Sequence, residues 1–386
     1  MKRRYTFFAP IMLALLLALL LAFTSCIKLM PDTSPKPAAP VPSVPALEAI
    51  ETTLEQIYAL ASPSVVNIGV VIASNSSSPQ EALGSGFVWD KAGHIVTNNH
   101  VIANADTITI TFADGTAVPG KLVGADPDSD LAVVKVDMPS NQLHPLSIGD
   151  STQLKVGHLV IAIGNPFGLQ GTMTVGFISA LGRLVPADNN ALGTTYSIPD
   201  IIQTDASLNP GNSGGVLLDD TGKLIGVTQS MSSTSGSSAG VGFAIPSAIV
   251  QQVVPALIKT GHYDHPYLGI AAVSMTPAIA TAMNLSADQR GTMVGSITTG
   301  GPADKAGLKA GRTRVSINGQ TLLVGGDVIV AYNDQVVNSS DDLITILARY
   351  GNIGQTVTLT VLREGKQIKV PVVIGARPGS PGKSNS

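Results

Sequence analysis

The residues of this chain best suited to chemistry gather around one serine. Ser213 lies in Asn209-Pro210-Gly211-Asn212-Ser213-Gly214-Gly215. Glycines on both sides let backbone N–H groups turn inward and let another chain approach closely. A serine hydroxyl is a poor nucleophile until a neutral histidine takes its proton. That histidine needs a carboxylate to fix its tautomer and to steady the imidazolium that forms. Candidates for both partners lie upstream. Of the six histidines (His94, His100, His144, His158, His262 and His265), His100 stands out by its setting in Thr97-Asn98-Asn99-His100-Val101 and its place before Ser213. Asp126, Asp128 and Asp130 compete for the carboxylate role. Asp126 and Asp128 flank Pro127 and read as turn formers. Asp130 directly precedes the apolar run Leu131-Ala132-Val133-Val134, so it is best placed to point inward. No pair of histidines has ligand spacing with carboxylates, so a metal centre lacks comparable support.

Such distant residues need a rigid frame to meet. Between 62 and 260, ten short apolar runs recur, at 64–72, 86–89, 94–97, 107–112, 131–136, 159–163, 175–180, 215–218, 223–228 and 242–245. Asp114-Gly115 and Thr221-Gly222-Lys223 punctuate them. Many short strands without long helices between them argue for an antiparallel barrel or sandwich. Residues 247–257 have helical spacing and close the block. The order His, Asp, Ser is that of chymotrypsin-like enzymes rather than of subtilisins or α/β-hydrolases. No Gly-x-Ser-x-Gly elbow in a βαβ pattern is present.

Composition narrows the class. The chain has 386 residues, 13% charged, with a formal net charge of −3. With no basic surplus, a nucleic-acid partner is not expected. Too few Glu and Lys are present for a long coiled coil. The length suits two folded domains. Lys2, Arg3 and Arg4 precede an uncharged run from Tyr5 to Ile27, the order of an export signal and long enough to span a bilayer. Residues 1–29 are therefore read as a signal or membrane anchor. Cys26 is the single cysteine, and Phe23-Thr24-Ser25-Cys26 resembles a lipoprotein cleavage site. Lipidation at Cys26, an uncleaved anchor and plain secretion all place the rest outside the cytoplasm. A single cysteine allows no intramolecular disulfide. Residues 30–47 read as a Pro-rich tether. Ile50, Leu54, Ile57, Tyr58 and Leu60 predict a helix over 48–61, and 377–386 reads as a disordered tail.

The first block resembles the HtrA/Deg family of chymotrypsin-fold serine proteases. The resemblance rests on Gly84-Ser85-Gly86-Phe87-Val88, Thr97-Asn98-Asn99-His100-Val101, Asp130-Leu131-Ala132-Val133, Ile163-Gly164-Asn165-Pro166-Phe167-Gly168, Gln203-Thr204-Asp205-Ala206, the Ser213 heptapeptide and Gly240-Val241-Gly242-Phe243-Ala244-Ile245-Pro246, in family order. Leu208 and Val216 stand where the family more often has Ile and Pro. The resemblance implies that Ser213 attacks the peptide carbonyl, that His100 acts as base and then acid, and that Asp130 orients His100. It implies an oxyanion hole of the Gly211 and Ser213 N–H groups, with that of Asn212. Ser207, six residues before Ser213, is neutral and offers no partner to a Lys or Arg side chain. With Leu208 beside it, small aliphatic P1 residues are expected. Val227-Thr228-Gln229 resembles the segment that pairs with the substrate backbone, which favours extended, unfolded chains. In the family, loops at 184–199 and 230–239 switch the hole between formed and collapsed states.

The second block runs from Tyr267-Leu268-Gly269-Ile270 through Met293-Val294-Gly295-Ser296-Ile297, Gly326-Asp327-Val328-Ile329-Val330, a helix at 341–350 and strands at 356–363 and 366–373. It resembles a PDZ domain of the HtrA type. Tyr267, Leu268, Gly269 and Ile270 match the loop whose N–H groups hold a peptide's terminal carboxylate. Residues 312–325 are extra relative to that family, and Asn318-Gly319 predicts a hairpin within them. The expected fold is thus mainly β: a chymotrypsin-like double β-barrel protease domain over 48–260, then an α+β PDZ domain over 262–376. The expected function is an extracytoplasmic serine endopeptidase of protein quality control that needs no cofactor. Its expected partners are unfolded proteins, peptide C-termini, the membrane through the anchor, and two further copies in a homotrimer.

Overall fold

The computed structural model describes residues 45–72, 80–165, 171–186, 197–229, 240–317 and 319–378. Residues 1–44, with Cys26, and the expected switching segment 230–239 lie outside these. So do most of 184–199 and the tail from 379.

A helix, α1 (Pro45–Ala61), opens the described chain. The tether expected to reach 47 therefore ends by 44. Pro45 suits a first helical position, where its fixed φ is preset and its missing N–H has no partner to lose. Ile57 is buried, and Leu54 and Tyr58 pack on the same apolar cluster between the barrels. The Tyr58 hydroxyl donates to the Gly171 carbonyl at 2.8 Å.

Two six-stranded closed barrels follow. The first consists of β1 (Val65–Ile72), β2 (Gln80–Val88), β3 (His94–Thr97), β4 (Thr107–Thr111), β5 (Ala117–Asp126) and β6 (Leu131–Lys135), closed in the order β1-β2-β3-β6-β5-β4. A single helical turn, α2 (Asn99–Ile102), leaves β3. The second consists of β7 (Leu159–Gly164), β8 (Thr172–Pro186), β9 (Ser197–Thr204), β10 (Val216–Leu218), β11 (Leu224–Gln229) and β12 (Gly242–Pro246), closed as β10-β11-β12-β9-β8-β7. Then α3 (Ser247–Thr260) ends at Gly261, whose φ of 77° suits a glycine cap.

Burial explains why β3 and β6 read as unbroken apolar runs rather than as alternations. Ile95, Ala132 and Val134 fill the first barrel. Val96, Leu131 and Val133 face the opposite way, into the cluster shared with Ile161, Ile163, Val227 and helix α3. Both faces of these strands are covered, so their ends are held from two sides. His100 and Asp130 sit at those ends.

Two strands escape the run of apolar segments. β5 contains Pro119 and Gly120, and four of its ten residues are exposed, so its pattern is weak. β9 contains Pro199 and Asp200, and Asp200 has φ 64°.

The remaining elements are β13 (Pro266–Tyr267), β14 (Ile270–Ser274), α4 (Pro277–Ala282), β15 (Thr292–Ile297), α5 (Pro302–Lys305), β16 (Thr313–Ile317), β17 (Gln320–Val324), β18 (Val328–Tyr332), β19 (Gln335–Val336), α6 (Ser340–Tyr350), β20 (Thr356–Arg363), β21 (Lys366–Val373) and β22 (Gly375–Ala376). The main sheet runs β14-β15-β18-β20-β21. Ser339 caps α6 by accepting from the Asp342 N–H at 3.1 Å. The extra segment forms the hairpin β16–β17, with Ile317 opposite Gln320 and Gly319 at φ 80°. Val324 is buried with Met275, Ile279, Met293 and Val328, and Val315, Ile317 and Leu322 pack against them. The hairpin thus makes a second small core with α4.

Candidate active site

The Asp126–Asp130 turn between β5 and β6 presents Asp130 at φ 53°, a left-handed conformation that aspartate tolerates better than most side chains. The carboxylate is buried and accepts three hydrogen bonds. Its Oδ2 faces the His100 Nδ1 at 2.7 Å. The same oxygen accepts from Gln229 Nε2 at 3.0 Å. Its Oδ1 accepts from the His100 backbone N–H at 2.9 Å. The Asp130 carbonyl in turn accepts from the Asn99 N–H at 3.1 Å and from Asn98 Nδ2 at 2.9 Å. Backbone and side chain of His100 are therefore held by one residue. With Nδ1 engaged by the carboxylate, Nε2 is the nitrogen left to exchange a proton with a substrate or nucleophile.

Ser213 lies in the tight turn before β10 and is 4% exposed. The turn is sewn down on all sides. The Ser213 carbonyl accepts from the Ser85 N–H at 2.8 Å, and the Gly214 N–H donates to the Thr228 carbonyl at 2.9 Å. Thr228 Oγ1 donates to the Asn212 carbonyl at 2.5 Å. Gly214 has φ 84°, and a Cβ there would stand 2.1 Å from the Ser85 carbonyl oxygen. Only glycine fits that position.

Several expected roles change. The Asn212 N–H donates to the Asn209 carbonyl at 2.9 Å, so it closes the turn instead of joining an oxyanion hole. Gly211, at φ 97°, and Ser213 are the remaining pair. Val227, Thr228 and Gln229 do not form an open edge. β11 pairs with β10 on one side and β12 on the other, with Val227 opposite Ile245, Thr228 opposite Ala244 and Gln229 opposite Phe243. Thr228 also bonds the Gly215 carbonyl through its N–H. All three residues are buried. Gln229 instead reaches Asp130, a role hidden in the sequence because it spans 99 residues. Leu208 is buried in the second barrel's core with Ala206, Ile202 and Ala244, and a Cβ on Gly242 would touch it at 2.8 Å. Ser207 is exposed, and its carbonyl accepts from Thr174 Oγ1 at 3.1 Å.

Asp126 and Asp128 do more than shape a turn. His265 Nε2 lies 2.9 Å from Asp126 Oδ2, and Arg377 Nη1 lies 2.8 Å from Asp128 Oδ2. The turn carrying Asp130 is thereby clamped by residues flanking β13 and β22. Arg377, expected to begin a disordered tail, is part of this clamp. Burial, reinforced by the Asp126 charge, pushes the nearby Tyr263 hydroxyl up. Asp126, Asp128 and His265 are a grouping with ligand atoms within 4.8 Å of one another, but the Arg377 guanidinium makes it an ion-pair cluster rather than a cation seat. The Arg349 guanidinium of α6 forms a two-pronged ion pair with buried Asp200 of β9.

The candidate peptide loop is also placed. Tyr267 pairs with Gly375, Leu268 is buried, Gly269 has φ 77°, and Ile270 starts β14. These four residues border a cavity of about 320 Å³ that continues to Leu343 and Leu347 of α6 and to Ile249 and Val253 of α3.

The barrels and this site match known proteins. The trypsin-like peptidase domain family covers residues 84–227, and the PDZ domain family covers 266–374. A chloroplastic Do-like protease of Arabidopsis thaliana is 40% identical over 341 residues, covering 86% of this chain and 74% of that protein. The chain belongs to the HtrA/Deg family of serine endopeptidases. A probable periplasmic DegP-like serine endoprotease of Brucella suis is 41% identical over 305 residues, and the chain spans 55% of its length. Among solved HtrA/Deg structures, an HtrA-type protease AlgW with a decapeptide superposes with a TM-score of 0.65 at 33% identity, covering 84% of this chain and 99% of that one. A serine endoprotease from Yersinia pestis gives a TM-score of 0.56 at 30% identity, covering 88% of this chain and all of that one.

Proposed function

We propose that this chain is an extracytoplasmic endopeptidase that cleaves unfolded proteins by acyl-enzyme chemistry. Ser213 attacks the peptide carbonyl while His100 takes its proton. Asp130 holds His100 in the tautomer whose Nε2 makes that transfer and stabilises the imidazolium. The N–H groups of Gly211 and Ser213 receive the developing oxyanion. His100 then protonates the leaving amine, and water hydrolyses the acyl-enzyme by the same steps. The observation that carries this reading is the His100–Asp130 pair at 2.7 Å, reinforced by the His100 N–H and by Gln229. The neutral Ser207 supports a preference for small aliphatic P1 residues.

The Tyr267–Ile270 loop and the adjoining apolar cavity support binding of a peptide C-terminus with an apolar last residue. The periplasmic relatives and the apolar run Tyr5 to Ile27 support a site of action outside the cytoplasm, with attachment through that run or through Cys26. Among the described residues no helix is long and apolar enough to cross a membrane. The family membership supports a homotrimer as the assembly, with mass measurement in solution as its check.

The test is digestion of casein or another unfolded protein by the wild type and by Ser213→Ala. The wild type should cleave and the variant should not. Equal turnover by both would discard the nucleophile.

A further inference from the structure

Ser85 is fully buried on β2, between two glycines that cannot carry a side chain. A Cβ on Gly84 would meet Val101 at 2.5 Å, and one on Gly86 would meet the Val96 carbonyl oxygen at 2.9 Å. The strand is thus pressed against β3 and α2, and the position of Ser85 is fixed. From there it makes four hydrogen bonds. Its N–H donates to the Ser213 carbonyl at 2.8 Å. Its carbonyl accepts from Thr97 Oγ1 at 2.7 Å, at the end of the strand that leads to His100. Its Oγ accepts from the Asn165 N–H at 2.8 Å, just past β7. The same hydroxyl, its proton oriented by that acceptance, donates to the Gly211 carbonyl at 2.6 Å.

The last bond has a chemical consequence. Gly211 has no Cβ, so its own backbone torsions are loosely held. The peptide that joins it to Asn212 is nevertheless pinned at both ends: the Gly211 carbonyl by Ser85 Oγ, and the Asn212 N–H by the Asn209 carbonyl at 2.9 Å. Fixing that plane fixes the position of the Gly211 Cα, so the Gly211 N–H, which belongs to the preceding peptide, can turn only by rotation about that anchored point. We propose that Ser85 is a positioning residue for the oxyanion hole, holding Gly211 in the conformation that aims its N–H at the developing charge. A hole of this kind works because its donors are already aimed before the charge appears. Ser85 touches no substrate; it acts through Gly211. The inference rests on the proposed role of Gly211 and Ser213.

The test compares the wild-type chain, Ser85→Ala and Ser213→Ala on a short peptide substrate, with a peptide trifluoromethyl ketone as transition-state analogue. Deleting one hole donor outright costs about 10²–10³ in rate. Loosening one by Ser85→Ala should lower kcat about 10- to 100-fold, with KM unchanged within about twofold. The ketone, whose adduct bears the oxyanion, should weaken by the same factor as kcat/KM. A merely structural Ser85 would lower the unfolding midpoint without moving that split. If Ser85→Ala does not fold, Ser85→Cys keeps a weaker donor of similar size and should show a smaller fall in the same pattern. Wild-type kcat in whichever variant folds, or a loss proportional only to the unfolded fraction, overturns the proposal. A Ser213→Ala chain that still cleaves overturns the reading beneath it instead.

Discussion

Arg349→Met should destabilise the chain strongly, and the size of the effect follows from what it leaves behind. Asp200 is 1% exposed, while the Arg349 side chain is 21% exposed. Removing the guanidinium strands a buried carboxylate, which costs about 3–5 kcal/mol. At about 2–4 °C per kcal/mol for a domain of this size, the unfolding midpoint should fall by about 6–20 °C. Asp200→Asn should cost less, about 1–2 kcal/mol, because the amide is neutral and the arginine can turn to water. Asparagine also tolerates the 64° φ of this position. The double variant should resemble Asp200→Asn alone.

The same pair gives a pH signature. Burial pushes the Asp200 carboxyl up, against the pull of Arg349. A carboxyl held above its unfolded value favours the protonated form in the fold, so its load on stability grows as pH rises through that range. Without Arg349 the upward push is unopposed. The Arg349→Met deficit should therefore be larger at pH 8 than at pH 5. Thermal unfolding by circular dichroism at both values is the assay. A deficit under about 2 °C at pH 8, or one that grows toward pH 5, would refute the reasoning that the pair fastens α6 to the second barrel.

Two further variants probe the site itself. Gly214→Ala places a Cβ against the Ser85 carbonyl at a φ of 84°, so it should abolish turnover and lower the unfolding midpoint, both read on the purified variant. Gln229→Leu removes one of two donors on Asp130 Oδ2 while filling the same buried space. It should lower kcat about tenfold with KM little changed, given the range of about 10²–10⁴ for positioned acid–base groups. A kcat equal to wild type would show that the Gln229 bond contributes nothing to His100.

Much of this architecture was legible in the chain because local rules agreed with the fold. The apolar runs leading to His100 and from Asp130 marked strands buried on two faces, and the glycine-flanked Ser213 marked a turn that no other residue could make. The Asn-Gly turn of β16–β17 was likewise readable, with Asn318 itself outside the described residues. What stayed hidden depends on long-range contacts. Gln229 reads as one more strand residue until β11 is seen beneath Asp130. Leu208 reads as a pocket wall because its neighbours are polar, yet it turns into the barrel core. Val227 and Thr228 resembled a segment that pairs with a substrate backbone, because sequence order does not tell that β10 and β12 flank them. Asp126 and Asp128 carry turn signals, but their partners His265 and Arg377 lie more than 130 residues away. Ser85 sat in plain view between two glycines, with nothing local to say that its hydroxyl faces Gly211.

The most direct measurement is the site of covalent reaction with a fluorophosphonate, read by peptide mass spectrometry of the labelled full chain. One adduct is expected, on Ser213, formed by the wild type and lost in both Ser213→Ala and His100→Ala. An adduct on a different serine, or labelling of Ser213 that persists undiminished without His100, would contradict it.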